Sequence, residues 1–249
     1  MSQPKLPEYR FYFHAGGHAL SGDFRRPVSQ FIPAQAAAFL PTSGGHARSR
    51  VENYVADHLA SFRVGHTHLS GSQKNGTYTT SVTTSIEQLN ILDVVTADRV
   101  VSRLTSEHKP DPGGKILEGH IIALGSQFDN LRIAGYDLNI TLRHDLFIDN
   151  ETFAKLRGKA EAEEASGKLA GVRGNAIICS LVDKIETKLP DVDPQTHIIS
   201  VPHLGQVSLA EVLILPGSVT LTMIRLELGS PDEATATVSE AVVNGHPWP

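Results

Sequence analysis

The sequence is poor in cysteine and has no excess of basic residues. A single cysteine, Cys179, excludes an internal disulfide, and the apolar run around it, residues 176–182, indicates a small buried side chain rather than a nucleophile. The 249 residues include 22 Lys and Arg against 27 Asp and Glu, a net charge of −5. Because nucleic-acid binding depends on clustered basic charge, this composition argues against a nucleic-acid partner.

Long apolar segments are also missing. No run approaches the roughly 18 residues that a membrane-spanning helix requires, so we expect no membrane span. Residues 1–10 lack the apolar core and the cleavage site of a secretory signal peptide. On these grounds we expect a cytoplasmic protein.

The short motifs that identify common active sites are absent as well. The chain contains no G-x-S-x-G nucleophile elbow, no glycine-rich dinucleotide fingerprint, no P-loop and no H-E-x-x-H zinc motif. We therefore predict no catalytic residue and no cofactor, and an enzyme is the less favoured interpretation.

What the sequence does have is a strand pattern. Apolar and polar residues alternate over much of the chain, and a turn residue (Gly, Pro, Asn or Asp) recurs about every ten residues. Tyr136–Leu142 is the clearest strand, and residues 207–215 and 219–228 predict a central hairpin around Pro216 and Gly217. We predict an all-β protein, either an antiparallel sandwich or a partly closed barrel.

One short helix is expected within this β-rich chain. Residues 151–165 are rich in Ala, Glu, Lys and Leu, Asn150 can cap their first turn, and Gly167 ends the pattern. We expect this helix to lie on the surface of the sheets, as an insertion near residues 150–167.

The remaining segments indicate connections rather than further elements. Residues 33–48 are expected to form a loop, and residues 108–115 a hairpin connection. No long stretch of Gly, Ser or Pro divides the chain, so a single domain over residues 1–249 is the favoured organisation.

Histidine is the most distinctive component, with 12 residues. The closest pair is His66 and His68, which would lie on the same face of a strand at a spacing that suits two metal ligands. The neighbouring Asn75-Gly76 is the preferred two-residue type I′ turn and predicts a hairpin in which Lys74 pairs with Thr77.

This register assigns neighbours to the two histidines. His68 lies opposite Thr83, His66 lies opposite Ser85, and Glu87 is diagonal to His66. These three side chains, His66, His68 and Glu87, are the candidate metal ligands. A face of Ser, Thr, His and Glu is equally typical of a solvent-exposed sheet surface, and the spacings of a cupin-type metal site are missing. We therefore predict that the isolated protein carries no stoichiometric metal.

Two stretches suggest a family. Residues 79–108, TTSVTTSIEQLNILDVVTADRVVSRLTSEH, and residues 125–135, GSQFDNLRIAG, resemble a group of uncharacterised bacterial proteins of acidobacterial and actinobacterial type. Residues 201–211, VPHLGQVSLAE, and the strands after them are similar to the closing strands of bacterial surface proteins labelled choice-of-anchor P. The resemblance implies a β-rich structural or binding domain at or outside the cell surface, with no catalytic residues.

These patterns favour a non-enzymatic structural or binding module that self-associates through an edge strand, so we expect a homo-oligomer. The alternative is a small metalloenzyme or ligand-binding β-barrel that uses His66, His68 and Glu87. No substrate or small-molecule ligand can be named from the sequence.

Overall fold

The computed structural model describes residues 10–26, 29–148, 153–165, 171–194, 197–202, 204–229 and 233–248. These residues form 18 strands and one helix. The strands are β1 (Arg10–Arg26), β2 (Gln30–Gln35), β3 (Ala38–Phe39), β4 (Gly45–Ala56), β5 (Ala60–Lys74), β6 (Thr77–Ile91), β7 (Val95–His108), β8 (His120–Ile122), β9 (Gln127–Asp129), β10 (Arg132–Ile133), β11 (Tyr136–Leu142), β12 (Gly171–Arg173), β13 (Ala176–Ser180), β14 (Val182–Thr187), β15 (Ile198–Val201), β16 (Gly205–Leu215), β17 (Ser218–Leu228) and β18 (Glu233–Trp248). The helix, α1 (Phe153–Ala165), lies between β11 and β12.

The strands form two antiparallel sheets. Sheet A has the order β12-β13-β16-β17-β18-β1-β2, with β15 paired to β16 and β3 paired to β1. Sheet B has the order β14-β11-β10-β7-β6-β5-β4, and β8 and β9 also pair with β7. Within the described residues neither sheet closes on itself, so the prediction of an all-β antiparallel sandwich is confirmed and the structure is not a closed barrel.

The inner faces of the two sheets form the core. Strands β1, β17 and β18 pack against β5, β6 and β7. Leu69, Val82 and Ile86, which the predicted register places opposite the histidine face, are fully buried. Small residues let the sheets approach closely, since a Cβ atom on Gly17 would lie 2.7 Å from the Cγ2 atom of Thr84.

Both predicted hairpins are confirmed. Asn75 and Gly76 have φ angles of 52° and 79°, as a type I′ turn requires, and Lys74 pairs with Thr77. The C-terminal hairpin joins β16 to β17 with Leu215 opposite Ser218, and it lies in the middle of sheet A. Tyr136–Leu142 is a strand with the predicted bounds.

Helix α1 is an insertion on the edge of sheet A, as predicted. Its buried residues Leu156 and Ala160 face β12 and β13. The backbone N–H of Phe153 donates a 2.7 Å hydrogen bond to Glu118 Oε1, so a carboxylate from a distant segment caps the helix. The predicted cap, Asn150, and the predicted stop, Gly167, lie outside the described residues. In the described part of the chain no helix is long and apolar enough to cross a membrane.

The expectation of a loop over residues 33–48 is wrong. This segment contains the end of β2, all of β3 and the start of β4. Pro33 suggested a loop, but β2 is the edge of sheet A, where a proline can lie without removing a ladder hydrogen bond. Strand β3 pairs with Gly16 and Gly17 and is only two residues long. Two residues are too few to show an alternating pattern in the sequence.

Each sheet contains one line along which the strand alternation changes phase. In sheet A two consecutive residues of each of four strands, β1, β16, β17 and β18, point inward, and all eight of them are 0% exposed. They are Ala19-Leu20, Leu209-Ala210, Met223-Ile224 and Val238-Ser239. We call this line crease A. Ala210 and Ser239 have φ angles of 47° and 52°, which is the left-handed conformation that lets a strand change phase.

Sheet B has the complementary arrangement. Along its line, crease B, two consecutive residues of each of the strands β4, β5, β6 and β7 point outward. They are Glu52-Asn53, Arg63-Val64, Glu87-Gln88 and Asp98-Arg99. Asn53 and Gln88 both have a φ of 53°. The two creases decide which polar side chains meet on the outer surfaces.

Candidate functional site

The structure places the predicted site residues on the outer face of sheet B. His68 lies opposite Thr83 and His66 lies opposite Ser85, as predicted. His68 is exposed and His66 is half-buried. Glu87 has the predicted diagonal position, but its carboxylate makes an ion pair with Arg63.

The geometry brings the two histidines together without a third ligand. Within the described residues, no three His, Cys, Asp or Glu side chains are grouped so that they could hold a metal ion. The site of His66, His68 and Glu87 therefore stays a prediction from the sequence.

Arginines surround the two histidines. Arg48 lies opposite His68 and Arg50 lies opposite His66 on β4, while Arg103 on β7 ends the row that runs through His68. The rings of His46 and His68 are stacked with centroids 6.0 Å apart. We call the surface formed by His46, Arg48, Arg50, His66, His68, Arg99 and Arg103 the arginine–histidine face.

The protonation of His66 depends on its surroundings in this face. The pKa of His66 is lowered, first because the side chain is partly desolvated and then because His68, Arg50 and Arg48 lie nearby. Arg50 makes a 2.6 Å ion pair with Glu52. Among the described residues, no carboxylate lies within ion-pair distance of Arg48, Arg99 or Arg103. Arg99 lies opposite Glu87 on β6 and Asp129 on β9, so the uncompensated positive charge of this face is at Arg48 and Arg103, in a chain with a net charge of −5.

A second polar cluster lies on the outer face of sheet A. On each of four strands, the two buried residues of crease A separate two polar residues that point outward. The pairs are His18 and Ser21, Ser208 and Glu211, Thr222 and Arg225, and Thr237 and Glu240. We call these eight residues the crease A cluster.

Hydrogen bonds join the residues at one end of this cluster. His18 Nε2 lies 3.0 Å from both Ser21 Oγ and Thr237 Oγ1, and the two hydroxyl oxygens are 2.8 Å apart. His18 Nδ1 faces Glu240 Oε1 at 3.8 Å, and Thr222 donates a 3.2 Å hydrogen bond to Glu240 Oε2. Burial lowers the pKa of His18, and the charge of Glu240 opposes that shift.

Arg225 organises the other end. It makes a 2.6 Å ion pair with Glu211 and a second ion pair with Glu227. His197 lies beside this group and is buried, which lowers its pKa; the charge of Glu211 opposes the shift. The crease A cluster therefore differs from the arginine–histidine face in that each of its charged side chains has a charged or hydrogen-bonding partner within the cluster.

Comparison with known proteins gives a family and no activity. The family model described as "Domain of unknown function (DUF8256)" matches residues 11–168 and 151–215. The chain belongs to this family. No curated protein and no solved structure matches the chain.

The DUF8256 match covers one of the two polar surfaces completely and the other only in part. The matched residues include the whole arginine–histidine face, from His46 to Arg103. They also include His18 and Ser21, but they end before β17 and β18, which supply Thr237 and Glu240.

Sequence reasoning missed the crease A cluster in this DUF8256 chain. It treats each strand as a strict two-residue repeat, which puts residues three apart on opposite faces. A detectable signal exists, because a pair of polar residues separated by two apolar or small residues recurs on four strands. Residues 222–225, Thr-Met-Ile-Arg, are the plainest example.

Proposed function

We propose that the protein is a binding module whose arginine–histidine face holds an acidic polysaccharide. The observation that carries the proposal is the pair of guanidinium groups, on Arg48 and Arg103, that have no carboxylate partner among the described residues. In a chain with a net charge of −5, unpaired cations on one face favour an anionic ligand. Arginine binds carboxylate and sulfate oxygens through two parallel hydrogen bonds.

The shape of the face supports an extended ligand. Arg48, His68, Thr83 and Arg103 form one row across four strands. Three strand spacings put the ends of the row about 14 Å apart. Hydroxyl groups on Thr83 and its neighbours supply further donors between the two guanidinium groups. The row contains no Phe, Tyr or Trp side chain on which a nucleic-acid base could stack, so a polysaccharide is favoured over single-stranded nucleic acid.

The histidines make binding depend on pH. A neutral His66 adds no charge near pH 7, because its pKa is lowered. Protonation at lower pH adds positive charge to the face, so affinity for an anion should rise as the pH falls below about 6.5.

Direct binding measurements test the proposal. Heparin serves as the acidic polymer, dextran as the neutral polymer and an oligothymidylate as the nucleic acid. The double variant Arg48→Gln/Arg103→Gln should bind heparin at least about tenfold more weakly, since a hydrogen bond to a charged group is worth about 1.5–3 kcal/mol.

A matched control comes from the same sheet. Arg132 is exposed but makes a 2.6 Å ion pair with Asp137, so Arg132→Gln should leave heparin affinity unchanged. Equal affinity of the double variant and the unaltered protein would contradict the proposal, as would equal binding of dextran. Tighter binding of the oligothymidylate than of heparin would identify a nucleic-acid ligand instead.

Self-association is a second candidate function, and strand β4 favours it. This strand is 12 residues long and is the edge of sheet B. If two copies pair antiparallel about Val51, Arg50 of each copy meets Glu52 of the other. Sedimentation analysis should then show a dimer that Val51→Pro disrupts, because proline removes a backbone donor. A monomer at all accessible concentrations would exclude this function.

A further inference from the structure

We propose that Ser21, His18 and Glu240 form a nucleophilic site on the outer face of sheet A, which accepts the acyl group of an ester. This inference goes beyond the proposed binding function and does not rest on it. It adds a reaction to a chain that the sequence predicts to be non-enzymatic.

Crease A is what brings the nucleophile and the base together. In a regular strand, residues three apart point to opposite faces, so His18 and Ser21 would be separated by the sheet. Because Ala19 and Leu20 both point inward and are 0% exposed, His18 and Ser21 lie on the same face. Their side chains meet at 3.0 Å, within the distance that proton transfer requires.

The carboxylate of Glu240 sets the tautomer of His18. Glu240 lies directly opposite His18 on β18, and its Oε1 atom is 3.8 Å from Nδ1. A proton on Nδ1 faces the negative charge, which leaves Nε2 free to accept the hydroxyl proton of Ser21. Thr222 holds the other carboxylate oxygen with a 3.2 Å hydrogen bond. Nucleophile, base and orienting acid thus occur in the order that serine nucleophiles need.

Thr237 completes the group. Its hydroxyl oxygen is 2.8 Å from Ser21 Oγ and 3.0 Å from His18 Nε2. Once Ser21 bonds to an acyl carbon, the Thr237 hydroxyl can donate to the oxygen that gains negative charge. Ser21 is only half-buried, so an ester can reach it from solvent.

The reaction balances with water as the second substrate. Ser21 Oγ attacks the carbonyl carbon of the ester while its proton moves to His18 Nε2. The bond to the ester oxygen then breaks, and the alcohol leaves with that proton. Water attacks the acyl-serine in the same way, with His18 as base, so that a carboxylic acid is released and Ser21 regains its proton.

A fluorophosphonate probe tests the site without knowledge of the natural ester. Attack by Ser21 forms an oxygen–phosphorus bond and breaks the phosphorus–fluorine bond, and the serine proton leaves with the fluoride. Mass spectrometry of the full chain should show one adduct, located on Ser21. His18→Asn should slow adduct formation roughly 100-fold, the usual contribution of a general base.

Matched variants separate this role from a structural one. Ser21→Ala should abolish the adduct, whereas Ser200→Ala, which alters an exposed serine on β15 of the same sheet, should leave its rate unchanged. Glu240→Gln should slow labelling while keeping the shape of the side chain. The rate in the unaltered protein should rise with pH and level off once His18 is neutral.

Three results would overturn the proposal. They are the absence of an adduct, an adduct that persists in Ser21→Ala, and a rate that does not change in His18→Asn. If Ser21→Ala fails to fold, Ser21→Cys provides the test with iodoacetamide. Its alkylation should be faster than that of Ser200→Cys and should depend on His18; equal rates would contradict the proposal.

Discussion

The outer faces of the two sheets differ in whether their charged side chains have partners. On sheet A the charged residues beside crease A are half-buried and have partners, as in the pair of Arg225 and Glu211. On sheet B the arginine–histidine face is exposed, and Arg48 and Arg103 have no carboxylate partner in the described part of the chain. The first arrangement holds its polar side chains in fixed positions, and the second leaves positive charge free to bind an anionic ligand.

Crease A explains why the polar residues of sheet A form a compact cluster. Crease A points its paired residues inward, so the polar residues on either side of it come together on the outside. Crease B points its paired residues outward, so they are spread over the surface and bind one another only locally, as Arg63 does with Glu87. The change of phase therefore yields a compact cluster on sheet A, whereas most of the arginine–histidine face follows the ordinary two-residue repeat of β4 and β5.

The largest change in the free energy of unfolding is expected from substitutions in the creases. Ser239 at crease A donates a 3.1 Å hydrogen bond to Thr84 O and accepts a 3.0 Å bond from the Ser102 N–H. Ser239→Val removes both bonds and resists a φ of 52°, so the free energy of unfolding should fall by about 3 kcal/mol. Urea denaturation measures it.

Two controls separate the contributions of this substitution. Ser239→Gly tolerates the backbone conformation and should lose only about 1–2 kcal/mol, from the hydrogen bonds. Gln88→Gly at the exposed crease B should change stability by less than about 1 kcal/mol. If the Ser239 and Gln88 variants lost the same free energy of unfolding, the two creases would contribute equally to stability, contrary to this expectation.

The next largest change in stability is expected from removing one partner of an ion pair. The Glu211 side chain is 18% exposed and the Glu87 side chain is 34% exposed. Glu211→Gln should lower the free energy of unfolding by about 1–2 kcal/mol, because a half-buried guanidinium loses its partner. Glu87→Gln should lower it by less than about 1 kcal/mol, as for other surface pairs. A larger loss at Glu87, seen in the same urea titrations, would reverse the comparison.

Stability should also depend on pH through the buried histidines. Burial lowers the pKa values of His18 and His197 in the folded state, so the unfolded chain binds protons more readily. The stability they contribute is present above about pH 6.5 and is lost as the pH falls through the lowered folded values. Thermal unfolding between pH 8 and pH 5 should show this decline, and His18→Asn should flatten it. A decline that is unchanged in His18→Asn would assign it to other groups.

The smallest change in stability is expected from substitutions in the arginine–histidine face. Because Arg48 and Arg103 lack carboxylate partners in the described chain, Arg48→Gln/Arg103→Gln should change the free energy of unfolding by no more than about 0.5 kcal/mol. A marked loss of stability would mean that these arginines support the fold rather than a ligand.

Local patterns in the sequence were sufficient for much of the fold. Asn75-Gly76 predicts both the turn and the register that put His68 opposite Thr83, since that turn tolerates only a few residue types. Helix α1 and the C-terminal hairpin follow from composition and alternation in the same way. The strands within residues 33–48 were missed because β3 is too short to show a period.

The site could be predicted only in part. The positions of His66 and His68 follow from one hairpin, but their arginine neighbours come from β4 and β7, whose pairing with β5 and β6 is not encoded in a single turn. His18 and Glu240 are separated by more than two hundred residues and meet through the pairing of β1 with β18. A local pattern cannot supply such a contact.

Mapping where heparin binds is the most direct test of the central claim, that the open face of sheet B is the ligand-binding surface. Backbone amide signals can be followed by nuclear magnetic resonance while heparin is added. We expect shifts concentrated on the outward residues of β4 to β7, around His46, Arg48, His66, His68 and Arg103, and none around His18 and Glu240. Shifts centred on the crease A cluster, or scattered evenly over both sheets, would contradict that claim.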